Sequence, residues 1–253
     1  MLNRTACCAV ISLAVLIGAG ARAQTYPSSR ITIAVPTPAG GPMDTMMRAL
    51  AMKLSENVGQ PVIIDNKTGA SGIIATQSVL QVPADGYSVA GVYLSHATNL
   101  HTNPRLPYDT LTSFAPVMLV AKGPNVLVVH KDVPATTVAE LIAYAKAHPG
   151  KLNVGASTTG GGSHLGAELL KMMTGIDMQT VPYKGTAALI PDLITGRVEV
   201  TLDSYQQYLP FAKEGSIRMI GVSSAQRFEI DPSIPAIAET VPGYERSAGG
   251  AWS

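Results

Sequence analysis

The feature that most constrains the fold is a regular alternation of strand-type and helix-type segments along the chain. Short β-branched runs such as ITIAV and NVLVVH alternate with segments whose apolar residues recur every three to four positions. The runs predict strands at residues 31–35, 62–65, 87–94, 117–122, 125–130, 152–156, 179–183, 198–203 and 217–223. The periodic segments predict helices at residues 43–58, 137–148, 163–174, 186–195 and 206–214. This alternation is typical of an α/β protein with a parallel sheet.

Local signals place the ends of several predicted helices. Thr137 followed by Glu140 has the spacing of a capping box, in which each side chain satisfies a free N–H group at the helix start. Gly59 offers a C-terminal stop for the first helix. Pro191 lies inside the predicted helix at 186–195 and is unfavourable there, because it removes one backbone hydrogen bond.

The first 23 residues have the pattern of a signal peptide. Arg4 supplies a positive start, residues 9–20 form an apolar segment too short to span a bilayer, and ARA at residues 21–23 resembles a small-x-small cleavage site. We therefore expect export, with Gln24 as the new N-terminus. No later apolar run approaches membrane-spanning length. The expected location is periplasmic, across the inner membrane.

Cysteine content and charge exclude several classes of function for the exported chain. Cys7 and Cys8 both lie in the leader, so disulfides, thiolate metal sites and cysteine nucleophiles are excluded once it is removed. Loss of Arg4 and Arg22 changes the formal net charge from +1 to about −1, which does not favour binding to nucleic acid. The apolar fraction of 46% is sufficient to fill the cores of one large or two small domains.

Two strand-to-helix turns are rich in glycine, PTPAGGPMD at residues 36–44 and STTGGGSH at residues 157–164. Ligands of open α/β sheets bind at the carboxyl ends of strands, where helix N-termini direct N–H groups outward. Glycine allows the main chain to approach a ligand, and hydroxyl groups add adjustable donors, so the two turns predict a receptor for a carboxylate. Neither turn has the phosphate-loop or dinucleotide-binding pattern, which makes nucleotides poor candidates. Each glycine-rich turn taken singly is equally well explained without a ligand, because short loops use glycine where the backbone needs a positive φ.

Individual polar residues near these turns have alternative roles. Asp44 either contacts a ligand or caps the helix near its first turn. His164 is better explained as a helix-start residue that hydrogen bonds the loop than as a general base. His96 and His101 lack a metal-ligand pattern and are interpreted as loop residues. Asp203 is either a ligand contact or the polar end of a strand.

A series of ordered motifs identifies the chain as resembling a known family. In chain order the motifs are YPS, VPxPAGG with Asp44, GQPV, ADGY, LPYD, FAPV, SHL and VPYKG, which begin at residues 26, 35, 59, 84, 106, 114, 163 and 181. Together they resemble the solute receptors of tripartite tricarboxylate transporters, the Bug-type receptors, over essentially the whole exported chain.

The resemblance implies a two-lobed periplasmic binding protein of the type II-like class. Lobe 1 would comprise residues 24–122, with residues 223–253 returning to it, and lobe 2 would comprise residues 123–222. Segments 117–129 and 217–223 would connect the lobes, which close on a small carboxylate and deliver it to the permease subunits of the transporter. The resemblance implies a monomer without cofactor, metal or catalytic residues.

The family's binding residues are carried over by position. One lobe would contribute Pro38, Ala39, Gly40, Gly41 and Asp44 to the ligand. The other lobe would contribute Ser157, Thr158, Thr159, Ser163 and His164, and Asp203 would select the variable end of the ligand.

Two departures from the family pattern affect these expectations. The family usually has an aromatic residue where Thr37 stands, and glycine then threonine where Pro42 and Met43 stand, so the identity of the carboxylate stays open. Relatives also continue beyond residue 253 with a segment that completes the first lobe. We therefore interpret the sequence as C-terminally truncated, and expect exposed apolar surface, an unpaired strand edge and low solubility.

Two alternative functions stay open at this level. One is a small-anion enzyme, a hydrolase or transferase on a similar two-lobed scaffold. The segment GASTT around Ser157 lacks the final glycine of the G-x-S-x-G nucleophile motif, so acyl-transfer chemistry has weak support. The other alternative is a sensor subunit that presents its ligand to a signalling partner.

Overall fold

The computed structural model describes residues 25–121, 123–245 and 247–248; the predicted signal peptide lies outside this part of the chain. The strands are β1 (Ile31–Val35), β2 (Val62–Asn66), β3 (Ser88–Ala90), β4 (Gly123–His130), β5 (Asn153–Ala156), β6 (Gln179–Pro182), β7 (Val200–Ser204), β8 (Ile217–Val222) and β9 (Ser247–Ala248). The α-helices are α1 (Pro42–Val58), α2 (Ile73–Leu80), α3 (Leu94–Thr102), α4 (Val138–Ala147), α5 (Gly162–Thr174), α6 (Thr186–Ile194) and α7 (Tyr205–Lys213). Short 3-10 helices occupy Ala70–Gly72 and Ile237–Glu239.

The strands form two separate sheets, one in each half of the described chain. The first sheet has the order β2-β1-β3 and is parallel throughout. The second has the order β6-β5-β7-β4-β8, with β9 beside the start of β4. The predicted α/β class is confirmed. None of the helices within residues 25–121 and 123–245 has the length and hydropathy needed to cross a membrane.

The expectation of parallel strands is wrong for part of the second sheet. Strands β5, β6 and β7 are parallel, but β4 runs antiparallel to both β7 and β8. The pairing explains the reversal, since Asn125 at the start of β4 lies opposite Ser204 at the end of β7. The chain arrives from the first lobe at the edge where β7 and β8 end, so β4 runs away from that edge.

Strand β4 is buried on both faces, which explains its continuous apolar sequence. Val126 and Val128 pack on one side with apolar residues of α6 and α7, and Leu127 and Val129 pack on the other with those of α4 and α5. The first lobe has a smaller core of fully buried side chains, built around Ile33, Val35 and Met47. Most of the buried apolar side chains therefore belong to the second lobe.

Several predicted elements differ from the observed ones. The predicted strand at 87–94 is shortened to β3, because Leu94 begins α3. Residues 117–121 form no strand, and the side chains of Val117 and Met118 are 78% and 68% exposed. Helix α6 continues through Pro191, whose carbonyl accepts the N–H of Thr195 at 3.1 Å. The capping box at the start of α4 is present as predicted.

Residues 223–253 were expected in the first lobe, but residues 223–245 pack on the second. Ala236 forms a β-bridge with Val222 at the end of β8. Ile237 and Tyr244 are fully buried in the core of the second sheet, and the Tyr244 hydroxyl donates to the Gly166 carbonyl at 3.0 Å. The physical reason is apolar burial, since these side chains complete one face of that sheet. Residue 246 and residues 249–253 lie outside the described chain.

Candidate ligand-binding site

The two glycine-rich turns lie at the carboxyl ends of β1 and β5 and lead directly into α1 and α5. Gly41 and Gly161 are the residues before these helices, and no side chain of the described residues caps either helix. The N–H groups of a first helical turn have no partner within the helix, and the helix dipole favours negative charge there. Both turns therefore place uncapped helix starts at the sheet edges where ligands of α/β proteins bind.

Contacts between the lobes place both turns at the boundary between the two lobes. The Ser71 hydroxyl in the first lobe donates to the Thr159 carbonyl at 3.0 Å, and the Thr98 hydroxyl donates to the Gly160 carbonyl at 2.8 Å. A Cβ atom built on Gly185 would lie 3.4 Å from the Pro38 ring. The turn after β6 is thus close to the first glycine-rich turn. The lobes are in contact around the candidate site.

Most glycine amides of these turns are used within the turns themselves. The Gly40 N–H donates to Asp44 Oδ2 at 2.9 Å and the Gly41 N–H to the Pro38 carbonyl at 3.2 Å. In the second turn, the Gly160 N–H donates to His164 Nδ1 at 3.1 Å and the Gly161 N–H to the Thr158 carbonyl at 3.0 Å. These four amides shape the turns and are not available to a ligand in this conformation.

Other main-chain donors in the same turns stay open. Within the described residues, the N–H groups of Ala39, Thr158 and Thr159 have no hydrogen-bond partner. Ala39 and Thr159 are exposed, as expected for donors at a cleft surface. The hydroxyl of Thr37 is buried and also lacks a partner among the described residues. The open donors therefore belong mainly to residues beside the glycines, not to the glycines themselves.

Asp44 organises the first turn from a buried position. Its carboxylate accepts hydrogen bonds from Gly40, from Arg48 Nε at 2.9 Å and from Asn66 Nδ2 at 2.8 Å. Burial acts to raise the pKa of Asp44, but the hydrogen bonds from Arg48, Gly40 and Asn66 outweigh it, so that the pKa lies below its usual value. The Asn66 amide also donates to the Thr37 carbonyl at 2.9 Å. Asp44 therefore joins α1 to the turn and to the end of β2, whereas Asn66 and Arg48 were not recognised from the sequence.

Ser163 and His164 hold the second turn from the first residues of α5. The Ser163 hydroxyl accepts the Ser157 N–H at 2.8 Å, and the two serine hydroxyls lie 3.0 Å apart. His164 accepts the Gly160 N–H, in agreement with its interpretation as a residue that hydrogen bonds the loop. These side chains brace the main chain, so their contact with a ligand stays a prediction.

Asp203 lies beneath the second turn at the end of β7. One carboxylate oxygen accepts the Thr186 hydroxyl at 2.8 Å and the Tyr208 hydroxyl at 3.2 Å, and the other accepts the Ser204 N–H at 2.8 Å. Burial raises the pKa of Asp203, although hydrogen bonds from Thr186, Ser204, Ser157 and Tyr208 act in the opposite direction. Asp203 thus joins the end of β7 to the start of α6 and to α7.

A third cleft loop at residues 69–72 was not recognised from the sequence. Ala70 and Ser71 have φ values of 47° and 51°, in the left-handed region that favours glycine, and lie between Gly69 and Gly72, which also have positive φ. The Ser71 carbonyl accepts the Ser95 hydroxyl at 2.7 Å and the Asn99 amide at 3.1 Å. Such backbone strain concentrates at functional sites. The sequence signal for this loop was GASG at residues 69–72, which follows the predicted strand at 62–65.

Tyr93 and His96 lie close to this loop. Burial raises the pKa of Tyr93, whereas the side chains of Ser95 and Thr158 act in the opposite direction. His96 and His101 lie in α3, so their interpretation as loop residues is wrong. His96 is buried and stacks on Tyr108 with a centroid distance of 5.6 Å.

Comparison with known proteins identifies the family to which this fold and cleft belong. The family model for the tripartite tricarboxylate transporter family receptor matches residues 46–251. The chain belongs to this family. Protein BugT of Bordetella pertussis is 33% identical, over 99% of this chain and 78% of its own length. A protein from Pseudomonas sp. strain P51, described as a UPF0065 protein in the tcbD-tcbE intergenic region, is 35% identical over 88% of this chain and 67% of its own length.

Solved structures of this receptor type have the same fold. R. palustris Rpa4515 with adipate has 40% sequence identity and a TM-score of 0.83, over 88% of this chain and 76% of that one. MatC from Rhodopseudomonas palustris with bound malate has 28% identity and a TM-score of 0.81, over 88% of this chain and 77% of that one. The two-lobed periplasmic binding protein fold expected from the sequence is confirmed. The family and these structural neighbours are solute-binding receptors, not enzymes.

Proposed function

We propose that the chain is an extracytoplasmic receptor that captures a small carboxylate between its two lobes and delivers it to the permease of a tripartite tricarboxylate transporter. One observation carries the proposal. Two helix starts without side-chain caps, each preceded by a glycine-rich turn, lie at the boundary between the lobes, beside the open N–H groups of Ala39, Thr158 and Thr159. This is an arrangement of fixed main-chain donors suited to an anion.

Main-chain N–H groups recognise a carboxylate without a cationic side chain. Each hydrogen bond to a charged group contributes roughly 1.5–3 kcal/mol. Four or five such bonds, less the cost of immobilising the ligand, give binding of about −8 kcal/mol, which corresponds to a micromolar Kd. Ala39, Thr158 and Thr159 supply three donors in the proposed complex, and the first turns of α1 and α5 supply the others.

The remaining proposed site residues act mainly by holding these donors in place. Asp44 fixes Gly40, His164 fixes Gly160, and Ser163 fixes Ser157. Asp203 lies one layer deeper, so its influence on ligand choice is exerted through Ser157 and Thr186. Pro38 and Gly41 complete the wall of the cleft. The Thr37 hydroxyl, buried and without a partner in the described residues, offers one further polar group to the ligand.

The ligand class follows from relatives of the same fold. The structures of two such receptors carry adipate and malate, both of which are dicarboxylates. Fixed amides recognise the carboxylate that these ligands share and discriminate little beyond it. We therefore propose a small dicarboxylate, without assigning which one.

The test is a thermal-shift panel of mono-, di- and tricarboxylates, preceded by native mass spectrometry of the purified protein. A bound dicarboxylate raises the unfolding midpoint by roughly 5–10 °C at about 100 times its Kd. Adipamide serves as the matched control for adipate, because it has the same chain length without a carboxylate. Absence of any shift with the whole panel, or an equal shift with adipamide, would contradict the proposal.

Recovery of the ligand separates a receptor from an enzyme. The protein is incubated with the dicarboxylate that gives the largest shift, and the solution is then examined by proton NMR. A receptor returns the ligand unchanged, whereas any new product signal favours a hydrolase or transferase. Loss of uptake of that dicarboxylate on deletion of the coding sequence in the source bacterium would support delivery to a permease.

A further inference from the structure

Two hydroxyl groups of the first lobe donate to consecutive carbonyls of the second glycine-rich turn. The Ser71 hydroxyl bonds the Thr159 carbonyl and the Thr98 hydroxyl bonds the Gly160 carbonyl, at 3.0 and 2.8 Å. Both bonds join residues more than 60 positions apart in sequence. They therefore connect the two lobes directly, by side-chain donors that the open state of a hinged receptor would lose.

The two donors belong to one braced unit in the first lobe. Thr98 lies on α3, and Ser95 and Asn99 of the same helix both donate to the Ser71 carbonyl, at 2.7 and 3.1 Å. We call the group Ser71, Ser95, Thr98 and Asn99 the α3 bridge. Because α3 holds the Ser71 backbone as well as Thr98, the two donors move together when the lobes separate.

The acceptor side is fitted to this unit. Gly160 has a φ of 70°, and a Cβ atom built on it would lie 3.3 Å from the Thr98 hydroxyl oxygen. A larger residue at position 160 would thus be unfavourable in backbone conformation and would also crowd the Thr98 donor. The same peptide segment carries the open N–H groups of Thr158 and Thr159. A bond to its carbonyls orients the main chain that offers these donors to the cleft.

Backbone strain at Ser71 supports a role in closure. Its φ of 51° costs energy for a residue with a side chain, and such conformations persist where surrounding contacts over-determine them. Two hydrogen bonds hold the Ser71 carbonyl within the first lobe. Within the described residues, the Ser71 hydroxyl makes one hydrogen bond, and that bond goes to the second lobe. The strained conformation directs this hydroxyl at the opposite turn.

We propose that the α3 bridge is a closing latch, in which Ser71 and Thr98 are positioning residues that set the balance between open and closed lobes. Neither side chain needs to touch the ligand. Since the apparent affinity of a receptor falls with the fraction of molecules in the binding-competent state, loss of the latch weakens carboxylate binding and favours open molecules without ligand. The effect on affinity rests on the proposed function, whereas the effect on the ligand-free protein does not.

The first experiment measures lobe separation without ligand. Spin labels are attached at Met52→Cys on α1 and Met172→Cys on α5, whose side chains are 58% and 75% exposed, after replacement of Cys7 and Cys8 by serine. Double electron–electron resonance then gives the distance distribution. We expect Ser71→Ala and Thr98→Val to move population to longer distances than in the parent protein.

Two further variants separate a latch from a general structural effect. Thr102→Val removes a hydroxyl of the same helix whose one hydrogen bond to the described residues goes to the Thr98 carbonyl, at 3.1 Å, and should leave the distances unchanged. Thr98→Ser keeps the donor and should restore the parent distribution. Ser71→Ala and Thr98→Val lie on different elements, so one of them tests the latch if the other fails to fold.

The second experiment measures adipate binding by isothermal titration calorimetry. Each of Ser71→Ala and Thr98→Val is expected to raise the adipate Kd by about three- to tenfold, the loss of one net hydrogen bond, whereas Thr102→Val and Thr98→Ser are not. Unchanged distance distributions in both folded donor variants would overturn the latch, as would an equal weakening in Thr102→Val. If the parent protein binds no carboxylate, the proposed function fails, and the resonance distances still decide the latch.

Discussion

Asp44 is the residue on which the geometry of the first turn depends. Its buried carboxylate satisfies three donors, from Gly40, Arg48 and Asn66. In Asp44→Asn, the NH2 group of the asparagine faces one of these three donors and leaves it without an acceptor. The substitution is therefore expected to lower the free energy of unfolding by about 1–3 kcal/mol. Urea unfolding provides the measurement.

Arg48→Gln is the matched control for this prediction. The Arg48 side chain is 52% exposed, so solvent screens its ion pair with Asp44 and the pair contributes little to stability. A smaller loss in Arg48→Gln than in Asp44→Asn is therefore expected. Equal losses would mean that the ion pair, rather than the buried acceptor, dominates the role of Asp44.

Glu239 gives a pH dependence whose sign follows from its partners. The Arg227 guanidinium and the Ala236 N–H hydrogen bond its carboxylate and lower the pKa of Glu239 from 4.5 to about 2. A lowered folded-state pKa stabilises the fold above about pH 4.5, and this stabilisation is lost as pH falls toward 2. The difference in unfolding midpoint between the parent protein and Glu239→Gln should therefore shrink between pH 5 and pH 3.

Glu229→Gln is the control for that pH series. Glu229 is exposed and has no hydrogen bond to any described residue. Its substitution should change the midpoint little at any of these pH values. A difference between parent and Glu239→Gln that stays constant from pH 5 to pH 3 would contradict the assigned role of the Arg227 pair.

At the scale of residues, the sequence predicted the turns but not the partners that shape them. Glycine and the adjoining hydroxyls mark residues 36–44 and 157–164 as turns of accessible main chain, and their contact with a ligand stays a prediction. The engagement of Asp44 with Asn66 depends on a neighbouring strand, and no local pattern reports it. The same holds for Ser71, whose left-handed conformation is fixed by α3 rather than by its own chemistry.

Strand β5 and helix α6 pack too closely to admit a side chain at Gly155. A Cβ atom there would lie 2.6 Å from Leu189 Cδ1 and 3.1 Å from Val198 Cγ1. Leu189 is fully buried and has little room to move. Gly155→Ala is therefore expected to destabilise the fold by about 1–3 kcal/mol, measured by urea unfolding.

Gly123 at the start of β4 is the matched control among strand glycines. Among the residues that the structure describes, a Cβ atom at this position meets nothing within 4 Å. Gly123→Ala should therefore change the free energy of unfolding by less than about 0.5 kcal/mol. A similar loss in both variants would indicate that backbone preference, rather than contact with Leu189, limits position 155.

At the scale of elements, long periodic or strongly β-branched segments were predicted well and short ones were not. Helices α1, α4 and α5 combine a clear period with start or stop signals, and β4 is a continuous apolar run. Helices α2 and α3 were missed, because both are short, at eight and nine residues, and neither has a side-chain N-cap. The apolar run at 117–122 resembled a strand, but in residues 117–121 it finds no pairing partner.

The two lobes differ in how much apolar surface they bury, and this difference has consequences for the whole molecule. The second sheet is covered on both faces by helices. In the first lobe, Ile63 on β2 is 42% exposed, and few side chains besides Ile33, Val35 and Met47 are fully buried in the core. Local opening costs less free energy where fewer apolar contacts are lost. The first lobe should therefore open more readily than the second.

Hydrogen exchange followed by mass spectrometry measures this difference directly. Amides of β1 and β2 are expected to exchange at least about tenfold faster than those of β4 and β7, because their opening breaks a smaller core. A dicarboxylate that bridges the lobes should then protect both glycine-rich turns and also slow exchange in β1, since its binding energy is lost when the first lobe opens. Equal protection of β1 and β4 without ligand would contradict the prediction and show that the two lobes unfold as one cooperative unit. Protection of the turns alone, with β1 unchanged, would mean that the first lobe opens without releasing its ligand.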